Sequence, residues 1–379
     1  MPLLNPGQIV RDSYEIVKPI GEGAFAEVYA VKHRFIGRQA MKVFKAKRAT
    51  IEEIERDLTE ARLLSTLGHP HIVGVFDAQL LDLEQGTFGY FTMTYMPMTL
   101  EQYWRSFGAA LMPVAQAVEI IKQTCRGLAV AHSKKPPIIH RDLKPQNILV
   151  GYGIDDLHVR VSDFGLAKSV NPLTLLASAR GTKGFKPPES LENADSCAGD
   201  VWALGTTLYL LLTDKMPYPI LDDAEYSSPS WFARPLRPPS VYNITVDSGL
   251  ESILYRCLQI APEDRYANVL ELLQDLDRWK PGNRLDSMSV SSLGKTSKTA
   301  LAPKSRHDFK AEAKSALDAA LEVAQDPAQL MNAASLLEEA ICKDPSLRER
   351  YELYLQLWRK GVMHCPTTTG KLQSRSSPH

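Results

Sequence analysis

The spacing of hydrophobic residues changes near Pro97, and this change constrains the fold more than any other feature of the chain. Before Pro97, short apolar runs alternate with turns. Residues 14–44 predict a three-stranded antiparallel meander, and the segments IVGVFDAQLLD and TFGYFTMTYM predict two further strands. One helix interrupts these strands, because Thr50 and Glu53 form a capping box ahead of apolar residues at helical spacing. After Pro97 the apolar residues recur with the helical period, as in residues 114–132. The sequence therefore predicts an α+β chain with a strand-rich lobe followed by a helix-rich lobe.

The composition excludes several classes of protein. The 44 Lys and Arg residues balance the 44 Asp and Glu residues, so the net charge gives no reason to expect binding to nucleic acid or to an anionic membrane. The longest apolar stretch, residues 201–212, is too short to span a bilayer and predicts a buried core helix. The five cysteines are scattered without a CxxC pair, which disfavours both a disulfide scaffold and a zinc site. Because no basic, apolar leader is present at the N-terminus, we expect a soluble cytoplasmic protein.

A second boundary falls near residue 281. Residues 281–306 are rich in Ser, Thr and Lys and predict a flexible linker. Residues 307–361 return to helical spacing, and residues 362–379 predict a disordered tail. The chain therefore divides into two lobes, a linker, a helical module and a tail.

The helical module contains a repeat-like pattern. Ala333, Leu337, Ala340 and Pro345 have the spacing of the second helix of a tetratricopeptide repeat. The segment of this chain that would form the first helix of the repeat lacks the residues that are usual there. A plain hairpin of two or three helices is therefore an equally good interpretation. One repeat cannot bury its own apolar face, so we expect the module to dock on the preceding lobes, on another copy of the chain or on a protein partner. The contact residues expected on its last helix are Tyr354, Leu357 and Trp358.

A glycine-rich bend, GEGAFAEV at residues 21–28, separates the first two predicted strands. Gly21 and Gly23 would let backbone N–H groups approach anionic oxygens closely, although the bend alone is better explained as an ordinary hairpin. Lys42 is a cation in the otherwise apolar third strand, where an unpaired ammonium would be costly. Glu60, in the following helix, is its predicted partner, and a chance pair of surface charges is the alternative.

The most informative segment is IIHRDLKPQNILV at residues 138–150, which is followed by VSDFGLA. These segments place Asp142 and Asn147 five residues apart, and Asp163 at the end of the next strand. Mg²⁺ prefers oxygen ligands and takes few of them from protein. Asn147 and Asp163 are therefore suitable metal ligands, and Asp142 remains available to bind a hydroxyl group. Together with AMK at Lys42, the segments closely resemble the catalytic loop, the DFG motif and the third-strand lysine motif of the eukaryotic-type protein kinases.

The resemblance covers residues 14–280 and implies a bilobal protein-kinase fold, with a small all-α module after it. The implied lobes are an antiparallel sheet with one helix and a mainly helical lobe. The implied cofactors are ATP and Mg²⁺, with Mn²⁺ as a substitute. Small insertions, a compact frame and the absence of common eukaryotic accessory domains favour a bacterial source.

The resemblance also assigns roles to residues. Lys42, oriented by Glu60, would bind the α- and β-phosphates. Asp142 would accept the proton of the substrate hydroxyl, and Lys144 would neutralise the γ-phosphate. The implied metal ligands are Asn147 and Asp163. The implied nucleotide contacts are Gly21, Gly23, Ala26, Val28, Ala40, Lys42, Met93, Thr94, Tyr95, Met96 and Leu149.

Two further segments bear on substrate and regulation. Glu189 in PPE and Arg265 in PEDR match family positions at which the two side chains pair.

Arg141, before the predicted catalytic aspartate, is typical of kinases whose activation segment is ordered by phosphorylation. The hydroxyls available in that segment are Ser169, Thr174, Ser178 and Thr182. Of these we hypothesise that Thr174 and Ser178 are autophosphorylated.

Three functions from different classes are compatible with these motifs. The favoured one is a Ser/Thr protein kinase that transfers the γ-phosphate of Mg·ATP to protein hydroxyls, because Lys144 in HRDLKPQN resembles the Ser/Thr-specific branch. A pseudokinase scaffold is disfavoured because every charged motif residue is present. A small-molecule phosphotransferase is disfavoured because the PPE, GDVWALG and PEDR segments serve kinases that act on proteins.

Overall fold

The computed structural model describes most of the chain. The described residues are 2–23, 25–45, 58–108, 110–152, 157–164, 184–192, 194–218, 232, 235–281 and 306–363. The predicted capping box at Thr50 and Glu53 and the four candidate phosphorylation sites lie outside these residues. Nearly all of the predicted linker and tail lies outside them as well.

The N-terminal lobe is built on an antiparallel sheet of six strands in the order β1-β2-β3-β4-β6-β5. The predicted meander and the following hairpin are confirmed, because β2 to β4 pair in sequence and β5 pairs with β6. The two-residue strand β1 was not predicted, since two residues cannot show an alternation. The strands are β1 (Ile9–Val10), β2 (Tyr14–Glu22), β3 (Ala26–His33), β4 (Gly37–Phe44), β5 (Val75–Leu83) and β6 (Gly86–Thr94).

Every residue of β4 from Gln39 to Phe44 is buried, so the strand is covered on both faces. On one face Met41 and Val43 pack in a core that is closed by the N-terminal segment, where Leu4 is fully buried. On the other face Ala40 and Phe44 belong to the core shared with the second lobe. Lys42 lies on this second face because side chains alternate along a strand.

The helix α1 (Thr59–Ser65) packs beside the sheet and buries Glu60, Ala61 and Leu64. After the sheet the chain forms α2 (Leu100–Ser106) and the long helix α3 (Val114–His132). A second antiparallel sheet was not predicted as such. It consists of β7 (Met98–Thr99), β8 (Ile148–Tyr152) and β9 (Leu157–Val161).

The C-terminal lobe is organised around α4 (Cys197–Thr213), in which nearly every residue is buried. A helix that is apolar on all sides is a core helix, so the prediction made from residues 201–212 is confirmed. Two shorter helices, α5 (Ser248–Cys257) and α6 (Val269–Arg278), pack against α4. No helix within the described ranges is both long and apolar enough to cross a bilayer.

Three helices follow, namely α7 (Arg306–Val323), α8 (Leu330–Lys343) and α9 (Arg348–Arg359). The helix α8 packs against both of its neighbours, and Ala333, Leu337 and Ala340 are fully buried on it. Trp358 of α9 is also fully buried, whereas Tyr354 and Leu357 are half-buried. The helix α8 contacts β4, β8 and α2, so the module docks on the preceding lobes of its own chain. Its assignment as a tetratricopeptide repeat stays a prediction.

Candidate active site

Lys42 lies at the centre of a buried cluster of charges between the two lobes. Its strand β4 is paired on both sides, by β3 and β6, which fixes the direction of the side chain. Its Nζ atom lies 2.8 Å from Oε2 of Glu60 and 2.5 Å from Oδ1 of Asp163. Lys42 and Glu60 are 3% and 4% exposed, so the predicted pair is an internal ion pair and not a chance pair at the surface.

In this cluster one ammonium group pairs with two carboxylates, and this arrangement determines the pKa of each group. Burial disfavours the charged form of Lys42, but the charges of Asp163 and Glu60 outweigh this effect and raise its pKa. Burial raises the pKa of Glu60 to about 7, against the opposing charge of Lys42. Burial acts in the same direction on Asp163, but Lys42 outweighs it and the pKa of Asp163 is lowered. Asp163 therefore holds its negative charge more firmly than Glu60.

The backbone of Asp163 is constrained where it leaves β9. Its φ is +59°, in the left-handed region, which costs a residue other than glycine about 1–3 kcal/mol. Ser162 Oγ donates to Oδ2 of Asp163 at 3.0 Å, which helps to hold the carboxylate in this position. About a third of the Asp163 side chain, 32%, remains exposed, so the carboxylate is accessible from the cleft.

The catalytic-loop segment lies between α3 and β8 and brings three predicted residues together. Lys144 Nζ lies 2.8 Å from Oδ2 of Asp142. The side-chain amide of Asn147 donates to the backbone oxygen of Asp142 at 2.7 Å and to its Oδ2 at 3.1 Å. The short 3₁₀ helix Pro145–Asn147 supplies the turn that makes these contacts possible. The Asp142 side chain is therefore held from two sides, by an ammonium and by an amide group.

Asn147 and Asp163 are neighbours because their strands are paired. Ile148 at the start of β8 pairs with Val161 at the end of β9, and Ser162 N donates to Asn147 O at 3.0 Å. The amide nitrogen of Asn147 is engaged by Asp142, so its amide oxygen is the atom that it can offer to a cation. An amide oxygen beside a carboxylate fits the oxygen chemistry that Mg²⁺ requires.

The catalytic loop is oriented by a residue that was not predicted from the sequence. Asp200, at the start of α4, accepts hydrogen bonds from the backbone N–H groups of His140 at 2.8 Å and Arg141 at 3.0 Å. His132 Nε2 lies 3.0 Å from the same carboxylate. Asp200 is 2% exposed, and Arg141 has a φ of +69°, so a buried anion holds a strained turn. A charged residue in the first turn of an apolar helix was the available signal.

His140 has the packing role expected from the resemblance. Its ring is fully buried and lies 4.7 Å from the ring of Phe164. Its Nε2 lies 2.8 Å from the backbone oxygen of Ser162, and its Nδ1 accepts from Asp142 N at 3.3 Å. Because Nδ1 accepts, Nε2 is the nitrogen that donates to the Ser162 oxygen. These contacts connect the catalytic loop to the segment that carries Asp163.

The predicted nucleotide contacts come from both lobes. Ala26, Ala40 and Met93 are buried on the sheet, whereas Val28 and Leu149 are half-buried against the shared core. Gly21 and Gly23 are exposed at the bend. The bend is a hairpin turn, in which Gly23 N donates to Ala26 O at 2.9 Å. Their assignment as nucleotide contacts stays a prediction.

The predicted hinge, Thr94 to Met96, follows β6. Thr94 exchanges hydrogen bonds with Gly74, since its N–H donates to Gly74 O at 2.9 Å and its hydroxyl accepts from Gly74 N at 3.1 Å. The side chain of Thr94 is therefore engaged within the lobe. The guanidinium of Arg38 lies 5.0 Å from the centre of the Tyr95 ring, a cation–π contact that the sequence did not indicate.

The predicted pair of Glu189 and Arg265 is confirmed. Arg265 Nη1 and Nη2 bind the two carboxylate oxygens of Glu189 at 2.7 and 2.8 Å. The Arg265 side chain is fully buried, and it also donates to the backbone oxygens of Gln259 and Ile260. A bidentate, fully satisfied arginine of this kind fixes the end of the activation segment to the C-terminal lobe.

Comparison with known proteins identifies the family. The family model described as protein kinase domain matches residues 14–276. Serine/threonine-protein kinase Pkn1 of Myxococcus xanthus is 34% identical over 268 residues, which is 68% of this chain and 37% of that protein. Serine/threonine-protein kinase PknB of Mycolicibacterium smegmatis is 31% identical over 313 residues, 79% of this chain and 48% of that protein. The chain thus matches less than half the length of either relative.

A solved structure shows the same architecture. The crystal structure of the Mycobacterium tuberculosis PknI kinase domain aligns with a TM-score of 0.52 at 27% sequence identity. The alignment covers 73% of this chain and 99% of the PknI chain. The helices α7 to α9 follow the residues that the family model matches. On the evidence of its motifs, its lobes and these relatives, this chain belongs to the protein kinase family.

Proposed function

We propose that this chain is a Ser/Thr protein kinase that transfers the γ-phosphate of ATP to hydroxyl groups of proteins. The observation that carries the proposal is the cluster of Lys42, Glu60 and Asp163 beside the loop that holds Asp142. Phosphoryl transfer needs positioning and charge neutralisation more than covalent help, and these groups supply both.

Each residue has a distinct part in the proposed reaction. Lys42 binds the α- and β-phosphates, and Glu60 keeps its ammonium directed into the cleft. Asp142 orients the substrate hydroxyl and accepts its proton. Lys144, 2.8 Å from Asp142, is close enough to neutralise the transferred phosphate.

The proposed metal is Mg²⁺, with Mn²⁺ as a substitute, held by Asn147 and Asp163. When bound, the cation would neutralise part of the negative charge of the phosphates. The lowered pKa of Asp163 keeps this carboxylate ionised and ready to bind a cation at neutral pH. Lys42 lies 2.5 Å from the same carboxylate and would turn from it to the phosphates.

Two observations favour serine and threonine as acceptors. Lys144 stands two residues after Asp142, in the pattern that resembles the Ser/Thr-specific branch. The relatives from Myxococcus and Mycolicibacterium are named as serine/threonine-protein kinases. We further propose autophosphorylation, with Thr174 and Ser178 as the sites.

The test is phosphate transfer from labelled Mg·ATP to a generic protein substrate and to the chain itself, followed by mapping of the modified residues. Asp142→Asn should abolish transfer and leave ATP binding intact, because the carboxylate acts on the hydroxyl and not on the nucleotide. Asp82→Asn, the same substitution at an exposed position near the end of β5, should change neither property. Near-native transfer by Asp142→Asn would refute the role of Asp142. Failure of the unmodified chain to transfer phosphate to any protein would refute the proposed function.

A further inference from the structure

The helix α8 lies beside the hinge and contacts both lobes. It touches β4 in the N-terminal lobe, and β8 and α2 beyond the hinge. The approach to β8 is close at Gly151. A Cβ atom there would lie 3.2 Å from the Met96 and Pro97 side chains and 3.3 Å from Oε1 of Glu338 on α8. A side chain at Gly151 would therefore press against the hinge and against α8 at once.

The contact with the N-terminal lobe is made by a buried carboxylate. Glu339 of α8 is 4% exposed. Its Oε1 lies 2.8 Å from Nζ of Lys18 on β2 and 3.0 Å from Nζ of Lys343 on its own helix. Its Oε2 lies 3.5 Å from Nη1 of Arg38 on β4. Two of its three cationic neighbours thus belong to the N-terminal sheet.

Glu339 depends on these neighbours to remain charged. Burial raises the pKa of its carboxyl group, but hydrogen bonds and charges from Lys18 and Lys343 outweigh this effect and lower the pKa. Removal of a cationic partner from a buried carboxylate is destabilising, so these contacts hold α8 against the sheet. The buried side chains of α8 also belong to the same hydrophobic core as the second lobe.

The two cations on the sheet lie close to the proposed nucleotide site. Lys18 precedes Gly21 of the glycine-rich bend by three residues on β2. Arg38 lies on the same face of β4 as Lys42, because the two residues are four apart in a strand. The Arg38 guanidinium also covers the ring of Tyr95 in the hinge. The carboxylate of Glu339 is therefore linked to the strands that carry the proposed phosphate contacts.

We propose that Glu339 is a positioning residue, which ties the N-terminal sheet to the α7–α9 module and so holds the two lobes at the separation where Lys42 reaches Asp163. The proposal rests on the proposed function in one respect, that the nucleotide binds between the lobes. The Lys42–Asp163 contact joins the lobes inside the cleft. The contacts of Glu339 join the N-terminal sheet to α8, which itself packs on β8 and α2.

Loss of the Glu339 contacts should weaken nucleotide binding more than it slows phosphate transfer. If the lobes open more often, the fraction of molecules that can bind the nucleotide falls, and the apparent Kd rises by the same factor. Asp142 and its loop lie entirely in the second lobe and are held by Asp200. The rate of transfer from the bound state should therefore change little.

The experiment uses the full chain, a fluorescent ATP analogue with Mg²⁺ for Kd, and phosphate transfer for KM and kcat. For Glu339→Gln we expect Kd and KM for the nucleotide to rise about fivefold or more, a typical coupling between sites, with kcat within about twofold. Glu339→Asp, which keeps the charge, should recover part of the affinity. Glu352→Gln is the matched control, because its ion pair with Arg348 at 2.9 Å lies within α9. It should leave all three constants unchanged.

A second set of variants guards against simple unfolding of the module. The double variant Lys18→Gln/Arg38→Gln removes the partners on the sheet and leaves the Lys343 contact within the module. It should weaken nucleotide binding as Glu339→Gln does. The triple variant should be no weaker than either, because contacts in one network are not additive. An unchanged Kd in Glu339→Gln, or additive losses in the triple variant, would overturn the proposal.

The measurements distinguish failure of the proposed function from failure of the role proposed for Glu339. If the unmodified chain binds the analogue and transfers no phosphate, the proposed function is refuted while the comparison of Kd values still decides the role of Glu339. If transfer occurs and Glu339→Gln matches the unmodified chain in Kd and KM, only the role of Glu339 is refuted. Absence of nucleotide binding by the unmodified chain would refute both.

Discussion

Replacement of Asp200 by asparagine should both destabilise the chain and disable the catalytic loop. The Asp200 carboxylate accepts from His140 N and His132 Nε2 on Oδ2, and from Arg141 N on Oδ1. An asparagine has one oxygen. In its better orientation the oxygen replaces Oδ2 and keeps two contacts, while the amide NH₂ group faces the N–H of Arg141. One buried donor then has no acceptor, and two bonds to a charged acceptor become bonds to a neutral one.

The magnitude follows from these three contacts. An unsatisfied buried donor costs about 1–3 kcal/mol, and a bond that loses its charge loses about 1 kcal/mol. The free energy of unfolding should therefore fall by about 3–5 kcal/mol, which a domain with a stability of about 5–15 kcal/mol can survive. The released loop carries Asp142, and misplacement of a catalytic group by about 1 Å can lower the rate about 100-fold.

Urea denaturation at neutral pH measures the first quantity, and phosphate transfer at saturating ATP measures the second. Asp214→Asn is the matched control, because Asp214 ends the same helix in the left-handed region, where asparagine is also accepted. It should change neither quantity. If Asp200→Asn unfolded within about 1 kcal/mol of the unmodified chain and kept full turnover, the reasoning from buried donors would be wrong.

Three further predictions concern buried charges. Lys42→Met should lower phosphate transfer about 100-fold or more, as loss of one preorganised donor does, and more than a tenth of normal turnover would contradict its role. Arg265→Met leaves Glu189 without its bidentate partner, so the free energy of unfolding in urea should fall by about 3–5 kcal/mol, and a loss below about 1 kcal/mol would contradict this. Because the pKa of Glu60 is raised from 4.5 to about 7, the folded chain keeps a proton that the unfolded chain releases, and the free energy of unfolding should decrease as the pH rises from 4.5 to 7. Denaturation across this range should show the decrease in the unmodified chain and a smaller decrease in Glu60→Gln, and equal slopes would refute the assignment.

The sequence predicted features that are encoded within short segments. The alternation in residues 14–44 identified three strands and placed Lys42 on an apolar face, because the period of a strand is local. The motif around Asp142 predicted that Asp142, Lys144 and Asn147 belong to one site, because they lie within six consecutive residues, and the structure shows that Lys144 and Asn147 both contact Asp142. The two-residue strand β1 is too short to produce a pattern, so it was missed.

Contacts between distant segments could not be predicted in the same way. Asp200 binds backbone N–H groups some 60 residues earlier, and a backbone N–H carries no sequence signal. For the helical module, the sequence indicated that an apolar face must be covered, but not by what. The structure places α8 on β4, β8 and α2, and the choice of Lys18 and Arg38 as partners for Glu339 follows from that geometry.

The buried charges of this chain have a common property that explains both the successes and the failures of prediction. Burial of a charge is costly unless the charge is paired, so a chain that buries a charged side chain has to supply a partner of opposite charge. Lys42 pairs with Asp163, 121 residues away, Arg265 with Glu189, 76 residues away, and Glu339 with Lys18, 321 residues away. Each pair joins segments that are far apart in the sequence. An apolar context indicated that Lys42 is buried, and its pair with Glu60 and the pair of Glu189 with Arg265 were predicted. The contacts of Lys42 with Asp163 and of Glu339 with Lys18 were found only in the structure.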